Sequence, residues 1–94
     1  MLFEKENLVN NNYCWNDCAG GSKFTGNPSR RSFDRSNGNQ VLYMINCFAL
    51  SIGTMTLVNG QKLEELITNQ LPEEVKSEVS VFNWLMEVYL YYWD

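Results

Sequence analysis

No charged residue occurs anywhere in residues 36–61. Within that stretch Val41, Ile45, Phe48 and Ile52 recur at the spacing of one helical face. Leu42, Met44, Ala49 and Leu50 widen the face, and Tyr43, Cys47 and Leu50 form a second stripe. From Gln40 to Ile52 the only strongly polar residues are Gln40, Asn46 and Ser51. A helix that is apolar nearly all round must be covered on several sides. In a chain of 94 residues this places it at the centre, with the rest arranged around it. Asn37 with Gln40 three places on resembles a capping box, and Gly53 is a natural stop. Together they predict a helix over 38–52.

The run has a competing reading. Residues 41–58 are 18 uncharged positions preceded by three arginines, near the length that spans a bilayer. Asn46, Ser51, Gly53, Thr54 and Thr56 argue against it, and Gly53 should break the helix. A covered helix inside a globular domain, with no membrane partner, is expected.

Residues 54–58 alternate and are β-prone, and Asn59-Gly60 is a turn signal that closes a small hairpin or caps the next helix. Leu63, Leu66 and Ile67 predict a short amphipathic helix over 61–70 with Glu64 and Glu65 outward. Pro72 suits a first helical position, and Glu73 and Glu74 suit a first turn. Val75, Val79, Phe82, Met86, Tyr89 and Trp93 then mark a main stripe over 72–92, beside a second stripe of Val81, Leu85, Val88 and Tyr92. Trp84, Leu90 and Tyr91 lie away from the main stripe, which calls for a further covering surface.

Residues 1–35 show no such period. A short strand or one helical turn is conceivable for Leu2, Phe3, Leu8 and Val9, and the asparagines that follow end it. Turn formers then dominate, with Phe24 and Phe33 as expected anchors of a wrapping loop. The expected fold is therefore mainly α and a single domain over 1–94. Residues 1–35 form an irregular wrapping segment, with room for a short strand or hairpin. Residues 36–94 form a three-helix core near 38–52, 61–70 and 72–92.

The net charge of −4 argues against a nucleic-acid partner. Its distribution is uneven: residues 1–38 are net +1 and residues 62–94 net −5. No apolar leader is visible at the start, so a reducing, cytoplasmic setting with free thiols is expected. Cys14, Cys18 and Cys47 lack a fourth zinc ligand, since there is no histidine. The same absence removes a Cys–His pair and the commonest general base, so neither enzyme activity nor a metal or other cofactor is expected.

Two candidate sites remain. Lys23, Arg30, Arg31 and Arg35 precede the helix start at Asn37, a set suited to a nucleotide or other phosphorylated ligand. The simpler expectation is that these arginines meet the chain's own acidic residues, Asp34 and the C-terminal glutamates. The acidic, aromatic C-terminal region offers Glu74, Glu78, Trp84, Glu87, Leu90 and Tyr91 as a partner-binding face. The favoured expectation is a non-catalytic protein-binding module: a small acidic inhibitor, immunity or adaptor protein that occludes a larger, basic partner. The alternative is a small-ligand binder or sequestering protein. A homodimer through the C-terminal helix is compatible with the first.

Overall fold

A computed structural model of the chain describes residues 3–9, 13–15, 27–53 and 56–92, with side chains as far as Tyr89 in the last helix. The architecture is mainly helical, and no strand occurs among the described residues. A 3-10 turn, Lys5–Asn7, precedes three helices. These are α1 (Gly38–Ile52), α2 (Leu57–Glu65) and α3 (Glu78–Tyr92), and α2 continues through a π-helical stretch, Leu66–Gln70.

Helix α1 is the central element. Val41, Met44, Ile45 and Phe48 are fully buried, as its all-round apolarity requires. Asn37 caps it by accepting from the Asn39 N–H at 3.1 Å, and Gly53 ends it with a positive φ of 81°. Gln40 does not complete a capping box. The Asn37 N–H donates to the Asp34 carbonyl instead, and Gln40 turns inward. Leu50 is 84% exposed, so the widened stripe overstates burial on that side.

Helix α2 starts earlier than the spacing predicts. Thr56 is its N-cap, with Oγ1 accepting from the Asn59 N–H at 3.1 Å, so Asn59-Gly60 lies inside the first turns rather than at a hairpin. Thr54 and Met55, the start of the β-prone stretch, lie outside the described residues. Gly60 is buried because the Phe3 ring rests on it, in the space a Cβ would fill. The buried residues of α2 and its extension are Gly60, Leu63, Glu64, Leu66 and Ile67, which include the expected Leu63, Leu66 and Ile67. Glu64 points in, contrary to expectation; Glu65 points out.

Helix α3 starts later than predicted. Val75 N–H donates to the Pro72 carbonyl in a turn, so Pro72, Glu73 and Glu74 precede the helix. The reason is a competing partner: the Glu78 and Val79 N–H groups donate to the Arg31 and Ser29 carbonyls at 2.9 and 3.0 Å. Loop 29–33 thus covers the start of α3. The face buried deepest is Val81 and Leu85, the stripe read as secondary, while Val79 is exposed. Phe82, Met86 and Tyr89 pack at the edge of the core, Phe82 and Tyr89 against Phe48 with ring centroids 6.1 and 5.5 Å away.

The described parts of the N-terminal segment pack on the helices, with Phe33 as one of the expected anchors and two further ones. Phe3 and Tyr13 belong to the core, and Phe33 packs half-buried against it. Phe24 lies outside the described residues.

Candidate functional site

Two carboxylates on the helices are buried, and each holds an irregular segment in place. Glu78, the first residue of α3, is 0% exposed. It accepts a bidentate pair from Arg31, Nε to Oε2 at 2.7 Å and Nη2 to Oε1 at 2.9 Å. Gln40 Nε2 donates to Oε2 at 2.9 Å and the Ser29 N–H to Oε1 at 3.2 Å. Gln40 also donates to the Ser32 carbonyl and accepts from the Asp34 N–H, both at 2.8 Å. A buried charge with this many donors is satisfied rather than reactive.

Tyr43 and Cys47, one turn apart on α1, border the same network. The Arg31 guanidinium lies 5.5 Å from the Tyr43 ring centroid. Burial is the first cause that raises the Cys47 thiol; its hydrogen bond with Tyr43 offsets this in part. Burial likewise holds the Tyr43 hydroxyl above its ordinary range, followed by the hydrogen bond to Cys47. Both keep their protons near neutrality, which suits structural side chains better than nucleophiles.

Glu64 is 2% exposed on α2. Its Oε2 accepts from the Tyr13 hydroxyl at 2.6 Å and its Oε1 from the Val9 N–H at 2.7 Å. Burial first, then the hydrogen bond and charge of Glu64, raise the Tyr13 hydroxyl well beyond its ordinary range. Tyr13 and Tyr43 therefore hold their protons more tightly in the folded chain than in the unfolded one. Their contribution to stability is complete below the ordinary value of 10.0 and is lost as pH rises through it toward the raised values. The urea midpoint should fall between about pH 9 and about pH 11, and Tyr13→Phe should flatten that slope. An unchanged midpoint over this range would contradict the burial of both hydroxyls.

The described arginines of the stretch before α1 differ in what they meet. Arg31 is committed to Glu78, and Arg35 Nη2 donates to the Leu71 carbonyl at 2.7 Å. Arg30 is exposed, and Lys23 lies outside the described residues. The first N–H of α1, from Gly38, donates to the Cys14 carbonyl at 2.7 Å, and Asn37 is occupied as the cap. The helix start that would have received an anion is covered by the chain's own backbone. The simpler expectation for the arginines holds for Arg31.

The expected partner-binding face is also redistributed. Glu78 is interior and cannot be presented to a partner. Trp84 is half-buried and packs against the core. Glu74 and Glu87 are exposed; the side chains of Leu90 and Tyr91 lie outside those described. An open groove of about 870 Å³ runs along α2 instead, lined by Val9, Val58, Gln61, Glu64, Thr68 and Asn69. Val9 and Val58 are 71% and 72% exposed on its walls.

Among the described residues, no three acidic or cysteine side chains converge as a metal-ligand set, and no helix is long and apolar enough to cross a membrane. No protein-family model, curated protein or solved structure matches the chain.

Proposed function

We propose that this protein is a non-catalytic protein-binding module, a small acidic inhibitor, immunity or adaptor protein that occludes a basic surface on a larger partner. The observation that carries the reading is the sorting of its carboxylates. Glu64 and Glu78 are used inside as fold-holding acceptors, whereas Glu65, Glu73, Glu74 and Glu87 face solvent. The outward acidic groups give the helical half of the chain a field that steers a basic partner, raising the association rate more than the affinity. In a reducing cytosol Cys14 and Cys47 would stay thiols.

Charge reversal tests this. Glu74→Lys/Glu87→Lys alters two exposed groups and should leave the fold intact. A partner captured by the wild type should be recovered at least about tenfold less well by the variant at low salt, and the difference should shrink at high salt. Equal recovery of the same proteins would refute the acidic-surface reading.

A further inference from the structure

Loop 33–35 and the linker 71–76 line a cavity of about 440 Å³ between them. Both lie inside the continuous stretches 27–53 and 56–92. Two hydrogen bonds tie one segment to the other. The Phe33 N–H donates to the Lys76 carbonyl at 2.7 Å, and Arg35 Nη2 donates to the Leu71 carbonyl at 2.7 Å. Each segment is also braced locally. The Asp34 N–H donates to Gln40 Oε1 at 2.8 Å, and Asp34 Oδ1 accepts from the Ser36 N–H at 2.8 Å. On the other side the Val75 N–H donates to the Pro72 carbonyl in a turn. Walls fixed in this way need little ordering when a ligand arrives.

The lining combines three kinds of surface. Phe33, Leu71 and Val75 supply an apolar part, with Leu71 buried. Arg35 and Lys76 supply two cations, and Asp34 and Glu73 supply two carboxylates. These charges do not neutralise one another in pairs. Among the described residues neither Lys76 nor Glu73 has an ion-pair partner, and Arg35 gives one N–H to Leu71, which leaves the rest of its fork. A ligand of a single sign meets opposition here: an anion faces Asp34 and Glu73, and a cation faces Arg35 and Lys76. A ligand with both signs on an apolar body meets a partner for each. We propose that this cavity binds a free α-amino acid with an apolar side chain. Its carboxylate pairs with Arg35 and Lys76, its ammonium pairs with Glu73, and its side chain lies on Phe33, Leu71 and Val75. The inference goes beyond the protein-binding reading and does not depend on it, since Glu74 and Glu87 do not line the cavity.

The test is a titration of the isotope-labelled full-length chain with leucine and phenylalanine, followed by amide chemical shifts. Saturable shifts are expected at Phe33, Arg35, Val75 and Lys76 below about 10 mM ligand. Isocaproate is leucine without its ammonium, and isoamylamine is leucine without its carboxylate. Each should bind at least about fivefold more weakly than leucine. Glu73→Gln and Lys76→Gln change exposed residues, should leave the fold intact, and should each weaken leucine binding at least about threefold. The absence of saturable shifts with both amino acids overturns the proposal, as do shifts confined to residues away from the cavity. Isocaproate or isoamylamine binding as tightly as leucine overturns the assignment of a ligand with two charges. Unchanged leucine affinity in both variants overturns the roles given to Glu73 and Lys76. The analogue series uses the wild type alone and decides the matter even if a variant fails to fold.

Discussion

Glu78→Ala should destabilise the protein by about 3–5 kcal/mol, the cost of breaking a buried ion pair from one side. The carboxylate is fully buried and receives Arg31, Gln40 and the Ser29 N–H. Its removal leaves a partly buried guanidinium and two further donors facing a void, each with a desolvation cost unrelieved. A domain of this size has a total stability of about 5–15 kcal/mol, so the loss is a large share of it. Glu78→Gln keeps the shape and one acceptor and should cost less than Glu78→Ala. Urea denaturation followed by circular dichroism gives both values. A loss below about 1 kcal/mol for Glu78→Ala would mean that water reaches the site and that loop 29–33 is not held by this residue.

Phe48→Ala should cost a similar amount, about 3–5 kcal/mol, through a different cause. Phe48 is fully buried on α1 and meets both Phe82 and Tyr89 edge-on. Truncation removes the packing between α1 and α3 and opens a cavity among side chains that cannot collapse into it. Leu50→Ala, two residues away on the same helix, should change stability by less than about 0.5 kcal/mol because Leu50 faces solvent. A Phe48→Ala loss no larger than that of Leu50→Ala would contradict the central placement of α1.

The contrast between Phe48 and Leu50 marks where sequence periodicity stops being informative. Both lie in the same uncharged run, and an all-apolar helix gives no polar face from which to judge orientation. On α3 the two stripes were both visible, yet their ranking was inverted, because the side facing α1 is set by how the helices cross and not by which stripe is longer. The inward turn of Glu64 has a different cause. A carboxylate at that position reads as outward until the Val9 and Tyr13 donors are brought to it by the fold. Thr56, three places before Asn59, is the local signal that marks the start of α2.

The seating of residues 3–9 on the helices was not legible in the sequence. It depends on Phe3 settling over Gly60, 57 positions away, and on Asn46 and Gln61 reaching the backbone of the same segment. Each residue has an ordinary local explanation, so no local pattern distinguishes it.

The sequence by itself determined that α1 would be central, since nothing but burial on several sides stabilises a helix with so few polar residues. It also determined where that helix begins and ends, because Asn37 and Gly53 satisfy its ends through their own backbone and side-chain chemistry. Only the tertiary structure decided which carboxylates are interior. Glu64 and Glu78 have acidic neighbours of identical chemistry in Glu65 and in Glu74. A carboxylate is tolerated inside only where donors arrive from distant parts of the chain. For Glu64 they come from Val9 and Tyr13, and for Glu78 from Ser29, Arg31 and Gln40. That convergence of segments far apart in sequence separates the two interior acids from those left in solvent.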